Sequence, residues 1–249
     1  MAAIWAYTVG AALTALGSWW WWLRVTPEIR DVAAMFELRT LVRSSVPLLW
    51  VASMSMAMNW IATFALGAWG TMGDVGVFNV ASRVSFLVSF VLVAVDTISA
   101  PKFAELYAAG DREGLARTAR NTARLMLVLA GPILLLIFAI PAAIMGVFGG
   151  EFRRGGAVLV ILAISQAANV MAGSVGYLLM MSGHERQVRD SNVIAAVSCL
   201  ICSILLVPVA GALGAAIAVA VALIARNVYE IAMVQRYLDI GALLWSGRG

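Results

Sequence analysis

The residues best fitted to bind a charged ligand are few, and they stand inside apolar runs. In NVASRVSFLVSF, residues 79–90, one arginine, Arg83, interrupts small and apolar neighbours. A charge at the centre of a membrane costs at least about 2.5 to 3.5 kcal/mol on insertion scales, so such residues commonly serve a site or a structural pair. A planar guanidinium engages phosphate or diphosphate oxygens two at a time, and a functional reading of Arg83 is therefore an anion contact in a cavity. The structural reading pairs it with carbonyls of a neighbouring helix or lets it reach the outer interface. Asp96 lies thirteen residues on, roughly 20 Å along a helix axis, too far to pair with Arg83 within one helix.

Uncharged polar residues form stripes. Ser55, Asn59 and Thr63 recur at i, i+4 and i+8, on one helical face. Ser82, Ser85, Ser89 and Asp96 fall within a narrow arc beside Asn79 and Arg83, and Gln166, Asn169, Gly173 and Tyr177 follow another face. A single stripe reads as interhelical hydrogen bonding, but three in one bundle favour a polar cavity. Arg83, Asn79, Asn59, Gln166 and Asn169 are the candidate substrate-binding residues.

Catalytic chemistry finds little footing. The sole histidine, His184, sits in SGHERQVRD, so no histidine-based metal cluster or triad forms within the chain. The carboxylates are scattered in loops, and the phosphate-cradling G-x-x-x-x-G-K-[ST] pattern is absent. Cys199 and Cys202 make a C-x-x-C inside an apolar run with no second ligand pair, which reads as packing. The chain is expected to be no enzyme and to need no metal or cofactor.

The elements that carry these residues follow from hydropathy. Of 249 residues 63% are hydrophobic and 12% charged, more apolar surface than a water-soluble core of this size hides. Runs long enough to cross a bilayer, about 20 residues each, fall at 3–23, 46–68, 77–100, 125–147, 157–181, 192–208 and 211–234. The last two are divided by a tight turn around Pro208 and Gly211 and fit a helical hairpin.

Lysine and arginine alternate between loops. The loops after the first, third, fifth and seventh runs hold Arg24, Arg30, Arg39 and Arg43, then Lys102, Arg112, Arg117, Arg120 and Arg124, then Arg186 and Arg189, then Arg226, Arg236 and Arg248. The opposite loops hold Arg153 and Arg154. The bias places the first group in the cytoplasm, with the amino terminus outside and the carboxyl terminus cytoplasmic. The net charge of +4 follows from this bias and is no argument for nucleic acid. Trp19 to Trp22 suit an interfacial belt at the cytoplasmic end of the first run.

Between the runs, 26–43 reads as a short amphipathic helix on the membrane surface, with Thr26 as cap, Pro27 at the first position and Glu28 at the positive dipole end. PKFAELYAAGDREGLARTAR, 101–120, reads as a helix leaving the third run, a turn at Ala109 and Gly110, and a new helix capped by Asp111. FGGEFRRGG, 148–156, is an external glycine turn. Pro47, Pro132 and Pro141 are candidate kinks, and Gly211, Gly214, Ala215, Ala218 and Ala222 give the last run a small packing face.

The blocks GVFNVASRVSFLVSFVLVAVDTISAPKFAELYAAGDREGL, FGGEFRRGGAVLVILAISQAANVMAGSVGYLLMMSGHE and VPVAGALGAAIAVAVALIARN, in that order and spacing, resemble the carboxyl-terminal half of oligosaccharide and polysaccharide flippases of the multidrug/oligosaccharidyl-lipid/polysaccharide exporter superfamily, over about residues 44–235. The resemblance implies an all-α polytopic membrane helix bundle of about seven transmembrane helices, one six-helix lobe and one preceding helix. Residues 1–25 are then the last helix of a missing amino-terminal lobe, 26–43 the connector, 44–237 the carboxyl-terminal lobe and 238–249 a cytoplasmic tail. It implies export of a lipid-linked oligosaccharide of the polyprenyl diphosphate type across a bacterial inner membrane by alternating access, with Arg83 meeting the diphosphate. The partners implied are that lipid, the surrounding membrane lipids, and a missing lobe or second copy. Other readings stay open. One is a MATE-like cation-coupled drug antiporter of the same superfamily using Asp96 as its ion-coupled carboxylate. Others are a membrane glycosyltransferase or polymerase, or a non-transporting scaffold.

Overall fold

The structure, a computed structural model, describes residues 2–25, 49 and 60–238. The chain divides into two compact units, Met1–Val46 and Pro47–Gly249. The connector at 26–43 and the tail beyond Leu238 lie outside the described residues.

In the first unit α1, Ala2–Val25, is one uninterrupted helix. Its end carries the exposed Trp19 to Trp22, and the Arg24 guanidinium stacks 4.2 Å from the ring centre of Trp20.

The second unit is all helix among the described residues. It contains α2 (Trp60–Trp69), α3 (Met72–Ala108), α4 (Arg112–Ala139), α5 (Pro141–Gly146), α6 (Gly156–Ala172), α7 (Val175–Met181) and α8 (Glu185–Leu238). Among the described residues four stretches are long and apolar enough to cross a membrane: α3, α4, Gly150–Ala172 and α8. Together with α5 and α7 they fall on the expected runs from residue 77 onward, and α2 falls on the end of the expected run 46–68.

Local chemistry sets most boundaries. α3 starts at a capping box in which the Asp74 amide donates to Thr71 Oγ1 at 3.1 Å and the Thr71 amide to Asp74 Oδ2 at 3.2 Å. It runs 37 residues, about 55 Å and well beyond a hydrocarbon layer of about 30 Å. The overhang ends in the expected turn, with Gly110 at φ 72°. Asp111 then caps α4, accepting from the Gly114 amide at 2.8 Å.

Two expected runs are broken rather than continuous. α4 ends at Ala139, and Pro141 opens α5 at a first-turn position where its missing N–H costs nothing; Pro132 stays inside α4. The run 157–181 stops at Gly173, whose φ of 71° and ψ of −152° suit only glycine. Tyr177 therefore belongs to α7 and does not continue the Gln166–Asn169 face. The FGGEFRRGG reversal is present, with Gly149 at φ 137° leading into a 3-10 turn over Gly150–Gly155.

The hairpin expected at the end of the chain is α8 itself. Gly211 adopts φ 51° and ψ −127° between its two arms, and Gly214 packs against the Leu206 carbonyl of the first arm. The small face expected there is buried at Gly214, Ala215, Ala218 and Ala222.

The helix ends sort into two groups. Leu106, Gly110, Arg112 and Tyr237 share one small cavity, and His184 lies 4.9 Å from the Tyr237 ring. At the other end Asp74 abuts Gly211, and Arg154 abuts Gly73. Within the second unit, the described loops rich in lysine and arginine thus gather at one end.

The apolar core has two parts. The larger runs from Ala62 through Val77–Val95, Met126–Ile137, Leu159–Val170 and Ala195–Ala222; the smaller joins Phe103, Leu115, Ala172–Leu179, Val188, Val234 and Leu238 near the basic end. Between them, the helices carry Asp96 and Ser99 on α3, Thr122 on α4, Ser174 after the break, and Ser191, Arg226 and Glu230 on α8. A polar layer thus divides the bundle, and Ser99 bonds Thr122 across it at 3.1 Å.

Candidate functional site

A cavity of about 420 Å³ opens between α2, α3, α6 and α8. Its α3 side follows from helical spacing: Phe78, Asn79, Ser82, Arg83, Ser85 and Phe86 cover one face over two turns. Trp60 and Thr63 come from α2, Leu162, Ser165 and Gln166 from α6, and Cys199, Val219 and Ala222 from the arms of α8. Arg83, Phe86 and Trp60 are exposed, whereas Ser85, Leu162, Ser165, Cys199 and Ala222 are buried. The cavity therefore has an open side, where the guanidinium stands, and a closed wall of small and weakly polar groups.

The hydrogen bonds show which groups are engaged. Arg83 has no hydrogen bond or ion pair among the described residues. The Asn79 amide donates to the Val75 carbonyl at 2.8 Å, which leaves its oxygen without that constraint. Gln166 Oε1 is buried and has no hydrogen-bond partner among the described residues. Ser165 is tied to its own helix through the Leu162 carbonyl at 2.7 Å. An unengaged cation at the open side and an unengaged amide oxygen within form a site that can hold an anionic headgroup while hydrogen-bonding a hydroxylated group beside it.

Of the residues expected from sequence to meet substrate, Arg83, Asn79 and Gln166 come together in this cavity. Asn59 lies outside the described residues, although Thr63, one turn further along its stripe, lines the wall. Asn169 does not line the cavity. It accepts from Arg226 Nη2 at 3.4 Å, because α6 carries it one turn further into the bundle.

Asp96 does not line the cavity either. Only 7% exposed, it lies in the polar layer beside the Ser174 hydroxyl, and its Oδ1 has no hydrogen-bond partner among the described residues. The stretch of α3 between Arg83 and Asp96 keeps these groups at different depths. Cys199 and Cys202 are free thiols, and the first is fully buried in the cavity wall, in keeping with a packing role.

Sequence reasoning missed a buried cluster. Arg226, counted there with the loop after the seventh run, is within the second arm of α8, and its Nε lies 3.9 Å from Glu230 Oε1. Glu230 is 5% exposed and accepts from Ser191 Oγ on the first arm at 2.7 Å. The signal was present: Arg226 and Glu230 stand four apart, and both are in helical register with Ala222 at the edge of a strongly apolar run.

Comparisons of the chain with protein-family models, with curated proteins and with solved structures give no match.

Proposed function

We propose that the chain is a lobe of a membrane flippase that moves a lipid-linked oligosaccharide of the polyprenyl diphosphate type, with Arg83 as a contact for the phosphates. The observation that carries the reading is the position of Arg83 on the open side of a polar cavity, without an ionic partner among the described residues. A structural arginine in a membrane bundle would be expected to have its charge satisfied inside the bundle. Asn79, Ser82 and Gln166 beside it supply hydroxyl and amide groups suited to sugars.

In this reading the basic end of the bundle faces the cytoplasm of a bacterial inner membrane, in line with the loop charges, and the lobe works by alternating access with a second lobe. The drug-antiporter reading draws less support, because its coupling carboxylate, Asp96, lies in the polar layer and not on the cavity wall.

The test is replacement of Arg83 by alanine in a cell whose surface polysaccharide depends on this protein. Loss of polysaccharide at an unchanged protein level is expected. Normal polysaccharide would overturn the assignment.

A further inference from the structure

Beneath the cavity lies a second arginine that nothing above uses. Ala222 and Gln166 line the cavity, and one turn further along the same two helices stand Arg226 and Asn169. Arg226 itself does not line the cavity. Its guanidinium is held loosely: 3.4 Å from Asn169 Oδ1 and 3.9 Å from Glu230 Oε1, with Nε buried and without a hydrogen bond among the described residues. Glu230 Oε1 lies 2.7 Å from Ser191 Oγ, whose single proton it shares with the Val188 carbonyl at 2.8 Å. Gly176 of α7 closes over its other oxygen, where a Cβ would come within 3.0 Å of Oε2. The carboxylate is thus a fixed group and the guanidinium the movable one.

We infer that Arg226 is a second anion contact one turn beneath the cavity, restrained by Glu230 as an internal competitor, so that a phosphate entering past Gln166 draws Arg226 away from Glu230. The inference deepens the proposed flippase reading by adding a regulated station to the same passage. A pair at 3.9 Å with an unfilled Nε donor is poorly compensated for its desolvation, whereas a phosphate accepts two guanidinium donors at once. No covalent bond is made or broken; the movable guanidinium exchanges one anion for another. The shared chemistry is a phosphate or diphosphate, whether it arrives on a polyprenyl carrier or as a bilayer headgroup.

The test is binding of labelled inorganic pyrophosphate to the full chain in nanodiscs of zwitterionic lipid. Glu230→Gln, which keeps the size of the side chain and its bond to Ser191, should tighten binding roughly five- to tenfold, as expected from removing a competing charge. Adding Arg226→Gln to that variant should cancel the gain. Asn169→Leu, which removes the other restraint, should tighten binding in the same direction and serves if Glu230→Gln fails to fold. Equal or weaker binding by the folded Glu230→Gln protein overturns the latch.

The two readings separate in the Arg83→Ala arm. Binding that responds to Glu230→Gln but not to Arg83→Ala supports the latch and overturns the role of Arg83. Binding abolished by Arg83→Ala and indifferent to Glu230→Gln and Asn169→Leu does the reverse. No pyrophosphate binding by any variant overturns both. Competition by geranylgeranyl diphosphate in preference to phosphatidylglycerol assigns the latch to a lipid-linked diphosphate; the opposite preference assigns it to a bilayer headgroup and overturns its deepening of the flippase reading.

Discussion

Ser191 and Glu230, thirty-nine residues apart, meet at 2.7 Å and join the two arms of α8 far from the turn that connects them. The bond shows that the arms lie side by side over most of their length, and it fixes a carboxylate in the polar layer. A net contribution of about 1 kcal/mol is typical of such a hydrogen bond. Ser191→Ala should therefore lower the thermal unfolding midpoint of the solubilised protein by several degrees, as read by circular dichroism. An unchanged midpoint would mean that packing alone holds the arms.

The cavity predicts a pattern of chemical access. In a Cys199→Ser, Cys202→Ser background, Ser82→Cys and Asn79→Cys should react with a charged, water-soluble thiol reagent, since both positions line the cavity. Leu135→Cys, 70% exposed on α4, a helix that contributes nothing to the cavity, should react at least about tenfold more slowly, because a lipid-facing thiol meets neither water nor reagent. Equal rates would place the Ser82 face in lipid as well.

Two glycines of the α8 hairpin predict a graded loss of stability. Gly211→Ala imposes a side chain on φ 51° and ψ −127° and brings its Cβ within 3.2 Å of the Asp74 carboxylate. A backbone outlier of that kind costs about 1 to 3 kcal/mol. Gly214→Ala places a methyl into the Leu206 carbonyl and forces the arms apart, so its loss should be the larger. Titration with a denaturing detergent, followed by loss of helix, ranks the two; the reverse order would contradict the close approach at Gly214.

The break after α6 predicts a similar sensitivity. Gly173→Ala meets both a left-handed φ of 71° and the Ala123 methyl at 2.8 Å, and should cost about 1 to 3 kcal/mol. Ala123→Gly opens the space without changing the backbone and should recover only part of the loss. Full recovery would show that crowding, not backbone strain, dominates.

Much of this organisation is local and was therefore readable in the sequence. Hydropathy and period gave the all-α class because a backbone in hydrocarbon must bond within its own helix. Asp111 as a cap, the turn at Ala109 and Gly110, and the turn around Pro208 and Gly211 depend on neighbours within a few residues. Asn79, Ser82 and Arg83 fell on one face for the same reason. The tertiary structure decided what those faces meet. Whether Arg83 borders a cavity depends on where α2, α6 and α8 pack beside α3. The parting of Asp96 from that cavity depends on depth in the assembled bundle, and the removal of Tyr177 from the Gln166 face depends on Gly173, where packing against Ala123 takes the place of helix continuity. The Arg226–Glu230–Ser191 cluster was least visible of all, because its key partner comes from the other arm of a hairpin, and a buried charge reveals its role only when the group opposite it is known.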